Sequence, residues 1–202
     1  MLTGMASAEG QRGRMRPGDR ALECELIDRI KRRDVRAFEE LYLDYLPRLR
    51  RFLSNLVRKP HVVEEVVSDT MMVVWERIDG FKGDSSLSTW IFAIAYRKAL
   101  RVIARHDNPV SDNERPEEAS EDGNPAEIAE KLSVNAALQR ALSTLSADHR
   151  AVVDLTYFQE LSYREIAQVM ACPVDTVKTR MYHARRHLRR AITGDKADWL
   201  WT

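Results

Sequence analysis

Leu161–Ile192, LSYREIAQVMACPVDTVKTRMYHARRHLRRAI, is the stretch that most restricts what this chain can fold into. Ser162 followed by Glu165 is a capping box, which starts a helix by satisfying amide donors in its first turn. Ile166, Ala167 and Met170 give that helix an apolar stripe. Ala171-Cys172-Pro173 interrupts the pattern, and the fixed φ of Pro173 suits the first turn of a new helix. Beyond it Val177, Met181, Ala184 and Leu188 recur at helical spacing and are expected inward. Thr176, Lys178, Thr179, Arg180, Tyr182, His183, Arg186 and Arg190 are then left outward. A short helix, a tight turn and a basic second helix form a helix-turn-helix, whose second helix can enter the DNA major groove. The blander alternative is a basic helix on the surface of an ordinary bundle. The capping box, the break and the outward Thr-Arg-Tyr-His set argue against it.

Net charge alone would argue against a nucleic-acid binder, because it is only +1. Its distribution says otherwise. His106–Glu130 holds nine acidic residues against Arg115, whereas Pro173–Ile192 holds six basic residues against Asp175. DNA meets the local field, not the average. With 31% charged residues, only 8 Gly and 7 Pro, the composition favours a highly charged helical protein over a turn-rich β fold. Cys24 and Cys172 make no disulfide framework, so a reducing cytoplasm is the simplest setting. No apolar run approaches the length of a membrane span, and the basic N-terminus lacks the apolar segment of a secretory signal.

The pattern predicts an all-α protein of two small helical domains joined by an acidic flexible linker, the second a four-helix domain that contains the helix-turn-helix. Residues 1–20 read as a disordered tail in which Met5 and Met15 are alternative starts to Met1. The first domain spans 21–105. It opens with a helix over Ala21–Arg33, and Asp34 caps the next. That second helix carries Val35, Phe38, Leu41, Tyr42, Tyr45, Leu49, Phe52, Leu53 and Leu56 inward, with Pro47 expected to kink or split it. The aromatics read as core and not as a base-stacking platform. A third helix, Pro60–Ile78, buries Val63, Val66, Val67, Met71, Val74 and Ile78. Glu64, Glu65, Ser68, Asp69, Met72 and Glu76 lie on its other faces, either as a solvated acidic surface or as a dock for a basic partner with Met72 an adaptable contact.

Asp79–Thr89, DGFKGDSSLST, is a polar loop before a helix over Trp90–Arg105. That helix is apolar at Ile91, Ile94, Ala95, Leu100, Val102 and Ile103 and basic at Arg97, Lys98, Arg101 and Arg105. Cations that hold phosphates beside a pocket for an unstacked base are what single-stranded nucleic acid needs. The alternative is structural: Ser88 or Thr89 as an N-cap and Trp90 in the core. Residues 106–124 read as the linker and 125–193 as the second domain. There a helix over Pro125–Leu145 precedes one over Ala147–Phe158, which Ser146 caps. The tail 194–202 ends in Asp198-Trp199-Leu200-Trp201-Thr202, whose tryptophans either dock on a helix or form a partner contact.

Catalytic chemistry is not visible. There is no Gly-rich phosphate loop, no zinc-spaced cysteine pair and no serine elbow. Adjacent Glu64 and Glu65 point to different sides of a helix and form no catalytic pair. His183 and His187 are spaced for one helical face but lack a nearby third ligand, and two ligands rarely define a metal site. The expectation is a protein with no metal, no cofactor and no catalysis of its own.

The order AFEELYLDYLPRL, VVEEVVSDTMMVVW, FKGDSSLSTWIFAIAYRKAL, an acidic linker, then LSADHRAVVDLTYFQELSYREIAQVMACPVDTVKTRMYHARRHL resembles the extracytoplasmic-function sigma factors of bacterial RNA polymerase, over roughly Leu22–Ile192. The resemblance implies a protein that binds core polymerase, directs it to promoters and assists their melting. It implies that Glu64, Glu65, Asp69 and Met72 dock on the clamp helices of the largest subunit, and that the polymerase flap is a further contact of the protein. It further implies that Asp84, Ser85, Ser86, Ser88 and Trp90 line a pocket for a flipped base of the −10 element, with Arg97, Lys98 and Arg101 on the melting strand. Thr176, Lys178, Thr179, Arg180, Tyr182, His183 and Arg186 would contact the −35 element, the acidic linker would run through the RNA exit path, and an anti-sigma factor would clamp the two domains. The chain departs from the pattern at Tyr96-Arg97, where many members carry Arg-Asn, at Arg101, often acidic, and at Asp175, often Gly.

Two other readings compete. A stand-alone helix-turn-helix regulator would bind a symmetric operator tightly without polymerase, but leaves the polar loop, the first domain and the linker unexplained. A helical adaptor with no DNA role would be indifferent to alanine at Arg180 and Arg186.

Overall fold

The computed structural model describes residues 17–57, 59–106 and 140–193, and no strand occurs among them. The linker, the tail beyond residue 193 and most of the helix expected over Pro125–Leu145 lie outside the described residues, as do residues 1–16.

Helix α1 spans Pro17–Lys31 and so begins ahead of Ala21. Pro17 occupies its first position, where a missing N–H costs nothing. Arg33 turns the chain with a left-handed φ of 64°. Asp34 then caps α2 as expected: its Oδ1 accepts from the amides of Arg36 at 3.0 Å and Ala37 at 3.3 Å, while Oδ2 accepts from Arg29 Nε at 2.9 Å. The Ala37 amide and the Arg29 guanidinium together hold this carboxyl below its ordinary value.

Helix α2 spans Val35–Leu56 in one piece, through Pro47. The expected split does not occur. The carbonyl that Pro47 cannot serve belongs to Leu43, which is 61% exposed, so water can replace the lost donor. Val35 is also exposed, contrary to expectation, because the core contact of α2 begins two residues further on, at Ala37.

Helix α3 spans Pro60–Arg77, followed by a 3-10 turn at Ile78–Gly80. Its buried residues include Val63, Val66, Val67, Met71 and Val74, as the periodicity requires. Helix α4 spans Leu87–His106. It starts ahead of Trp90 because Ser86 is the cap: the Thr89 amide donates to Ser86 Oγ at 3.2 Å, and the two hydroxyls meet at 2.8 Å. Ser88 and Thr89 therefore belong to the first turn and are not caps. α4 is not the one-sided helix expected. Ile91 to Tyr96 are all buried, because α2 and α3 pack on one side and the helix-turn-helix on the other. Leu100 lies beyond that sandwich and is exposed. Phe52 and Phe92 meet edge-to-face at 5.3 Å between α2 and α4, a favoured geometry for buried rings.

Among residues 140–193, a helical end at 140–143 leads to Ser146, which caps α5, Ala147–Tyr157, by accepting the His149 amide. Helix α6 is Tyr163–Met170 and α7 is Val174–Thr193. Ala141, Leu142, Leu145, Val152, Leu155, Ile166, Val177, Met181 and Ala184 close this second core. The two helical groups lie against each other, α5 on α2 and α6 on α4.

Candidate nucleic-acid interface

The helix-turn-helix is built as its sequence requires. Ser162 N and Oγ both donate to Glu165 Oε2, at 2.9 and 2.7 Å, and the Glu165 amide returns to Ser162 Oγ at 3.4 Å. Ala171 ends α6 in the left-handed region at φ 50°, and the Cys172 amide closes the turn on Ala167 O at 3.0 Å. Pro173 stands just before α7, not inside it, and its carbonyl accepts from the amides of Thr176 and Val177 at 3.0 and 3.3 Å. With Val177, Met181 and Ala184 buried, Lys178, Thr179, Tyr182, His183 and Arg186 are exposed on α7. Thr176 and Arg180 are half-buried. Arg180 is not free: its guanidinium pairs with Asp148 of α5. Lys178 Nζ lies 3.0 Å from Asp175 on the first turn.

The polar loop before α4 is less uniform than its sequence suggests. Asp84 is exposed and Ser85 half-buried. Ser88 Oγ turns toward α2, where it meets the Tyr45 hydroxyl at 2.7 Å and accepts from Arg48 at 3.4 Å. Ser86 Oγ and Thr89 Oγ1 donate to Glu165 Oε1 at 3.2 and 3.4 Å. The capping carboxylate of the helix-turn-helix thus also closes on the loop of the first domain. Trp90 is half-buried, its ring 5.3 Å from that of Phe81. Arg97 and Arg101 are exposed, and no described carboxylate pairs with either. Lys98 instead donates to Asp69 Oδ2 at 2.8 Å, so a residue of the basic set neutralises one of the acidic set on α3. On that α3 face Glu64 takes a bidentate contact from Arg50 at 2.7–2.8 Å, while Glu65 and Met72 are exposed.

Several polar groups that sequence reasoning passed over join the two halves. The Tyr96 hydroxyl donates to Asp148 at 2.7 Å. Asn55 Nδ2 donates to Asp154 Oδ2 at 2.7 Å, Gln159 Nε2 donates to Asp154 Oδ1 at 3.3 Å, and Arg48 Nε donates to Gln159 Oε1 at 3.1 Å. The Arg51 guanidinium stacks over the Phe158 ring at 3.2 Å. Asp154 is 1% exposed, and burial pushes its carboxyl above the ordinary value against the smaller opposing effect of the Gln159 and Asn55 donors. One signal for it was in the sequence: Asp154 stands between Val152-Val153 and Leu155, a carboxylate inside an apolar run.

Comparison with known proteins agrees with this layout. Residues 41–108 match the Sigma-70 region 2 family and residues 135–188 match Sigma-70, region 4. The RNA polymerase sigma-H factor of Pseudomonas aeruginosa is 28% identical over 178 residues, which cover 83% of this chain and 92% of that protein. The ECF RNA polymerase sigma-E factor of Escherichia coli K12 is 29% identical over 177 residues, with the same coverage. The solved structure of the sigma factor RpoE of Bartonella quintana, in complex with the anti-sigma factor NepR, is similar with a TM-score of 0.59 and 28% identity over 79% of this chain and 98% of that one. Two sigma-70 regions in this order, on two helical groups of which the second ends in an exposed basic helix, place the chain in the extracytoplasmic-function sigma factors of bacterial RNA polymerase.

Proposed function

We propose that the chain binds core RNA polymerase and directs it to promoters, reading one element as duplex and the other as opened strand. The observation that carries this is the pairing, in one chain, of two different nucleic-acid chemistries. The exposed Lys178, Thr179, Tyr182, His183 and Arg186 stripe suits base edges and phosphates in a major groove. The loop with Asp84, Ser85 and Ser86, followed along α4 by the exposed Arg97 and Arg101, suits an unstacked base and its strand. In this reading the exposed Glu64, Glu65, Asp69 and Met72 form the polymerase dock, with Arg50 and Lys98 holding two of the carboxylates until a basic partner competes for them. Thr176 and Ser88 support these surfaces from half-buried positions.

Ser86 is engaged across the seam by Glu165, while Arg180 is held within the second group by Asp148, a carboxylate that Tyr96 of the first group also grips. Offering Ser86 to an opened strand therefore requires the seam to part, and core polymerase is the partner that would hold the halves open. An anti-sigma factor, such as the one seated on the Bartonella protein, would act by opposing that parting. The chain contributes recognition and strand capture, with bond-making left to the polymerase, and works in the bacterial cytoplasm.

The test is run-off transcription with purified bacterial core polymerase on a pooled library of promoter-like DNA. Discrete transcripts that need the protein, and are lost with a Glu64/Glu65/Asp69 triple alanine substitution, are expected. No transcripts, with no comigration of the protein and core polymerase, would refute the reading. Tight binding of a symmetric operator by the protein alone would replace it with the stand-alone regulator.

A further inference from the structure

Helices α1 and α2, with Leu87 at the start of α4, line a groove of about 410 Å³. Its apolar lining is Leu26, Leu41, Tyr45 and Leu87, joined by Leu22, which is 67% exposed. The rest of the lining is four carboxylates, Glu23, Glu25, Glu40 and Asp44, and one guanidinium, Arg29. The negative charge is only partly offset. Arg29 divides itself between Asp34 at 2.9 Å and Glu40 at 3.3 Å. Arg48 reaches Asp44 at 3.6 Å, and Glu23 Oε1 accepts the Leu87 amide at 3.1 Å. Glu25 is exposed, and no cation among the described residues pairs with it. Five carboxylates therefore share two guanidiniums.

An apolar floor under an acidic rim repels a nucleic-acid backbone. It suits a cationic segment that also carries flexible apolar side chains. The chain itself holds one. Residues 107–139 carry nine acidic residues against two basic, and 194–202 carry two against one, so the groove repels both. Residues 1–16 carry Arg12, Arg14 and Arg16 against Glu9, with Met5 and Met15 among them. They lead directly into α1, which is one wall of the groove. Leu22 lies five residues beyond Pro17, about 8 Å along the helix. Arg12–Arg16 can span about 17 Å, which is long enough to double back beside α1.

We infer that residues 1–16 dock in this groove, with their arginines on the acidic rim and a methionine over the leucines. Nothing in this docking depends on promoter recognition. Ion pairs at so exposed a rim contribute little each, so the docked form is held by tethering and by several weak contacts together, and it loosens in salt.

The experiment compares the leucine methyl NMR signals of the full chain with those of its Arg12→Gln/Arg14→Gln/Arg16→Gln variant. The signals of Leu22 and Leu26 are expected to differ between the two, equally at low and high protein concentration. Those of Leu145 and Leu155, buried in the second core, stay still. Trypsin reads the same docking as a rate. Glu25→Gln combined with Asp44→Asn should speed cleavage after Arg12 and Arg14 about 3- to 5-fold, the effect of losing two exposed ion pairs, and leave cleavage after Lys196 unchanged. Glu25→Lys, which spares the contact of Asp44 with Arg48, should also speed it, with far-ultraviolet dichroism unchanged. Leucine signals that do not differ in the free chain overturn the proposal; if they move only when core polymerase is added, the groove belongs to a partner. A difference that grows with protein concentration overturns it in favour of the same segment of a second copy. Cleavage rates indifferent to both groove variants overturn it as well.

Discussion

The Tyr96 hydroxyl donates to Asp148 at 2.7 Å, which ties α4 of the first helical group to α5 of the second. Asp148 also pairs with Arg180, so three helices converge on one carboxylate. Tyr96 is buried, and its phenol is pushed up, first by burial and then by this hydrogen bond. Tyr96→Phe keeps the ring and removes the bond. Hydrogen bonds to a charged partner contribute about 1.5–3 kcal/mol, and Arg180 still satisfies Asp148, so a loss near the lower figure is expected. A urea titration followed by circular dichroism measures it, and an unchanged midpoint would show that the bond does not hold in solution.

Asp154 offers a pH test. Its folded carboxyl titrates above its unfolded value of 3.8, so the folded chain binds this proton more tightly than the unfolded one. The charged form is therefore a burden at neutral pH, and the burden fades as pH falls through the raised value toward the unfolded one. Asp154→Asn removes this titration. The stability of wild type relative to the variant should rise as urea midpoints are measured from neutral pH down toward about 4. A difference that stays flat or moves the other way would mean that the carboxyl is not desolvated.

Ala171 holds the left-handed turn between α6 and α7 with φ 50°. That region costs an L-residue about 1–2 kcal/mol, whereas glycine adopts it freely and gives up about 0.5–1 kcal/mol of unfolded-state entropy. Ala171→Gly should thus stabilise the chain by about 0.5–1 kcal/mol, read as a rise in thermal midpoint.

Arg97 and Arg101 are exposed with no described carboxylate against them, which leaves their charge available to a strand. Replacing both with alanine should leave duplex binding by α7 intact while impairing promoter opening, seen as reduced permanganate reactivity of the opened bases. For two single-strand phosphate contacts the salt slope of open-complex formation should fall by about 1.4.

The local devices were legible because each is written within a few residues. The Asp34 cap, the Ser146 cap and the Ser162–Glu165 box all appear where their spacing places them. The apolar stripes of α3 and α7 are likewise a property of one helix at a time. What the sequence concealed is pairing across distance. Glu165 meets Ser86 across 79 positions and Asn55 meets Asp154 across 99, and no periodicity encodes such contacts. The same gap explains α4. Its buried run from Ile91 to Tyr96 looks one-sided only until a second helical group covers the other face. The charge of Lys98 is visible in the sequence, whereas its partner Asp69, on a different helix, is not.

The seam between the halves has a consequence for how the molecule can be taken apart. An interface sealed wholly by aliphatic side chains would leave two sticky surfaces each time it opened. Here Asn55, Asp154, Gln159 and Arg48 form a chain of donors and acceptors across the joint, and each can trade its partner for water. Asp154 gains most from that trade, since hydration relieves the carboxylate that burial disfavours. The joint behaves as a clasp and not as a weld: it aligns the halves when shut, and its most strained member is the one that solvent rewards for letting go.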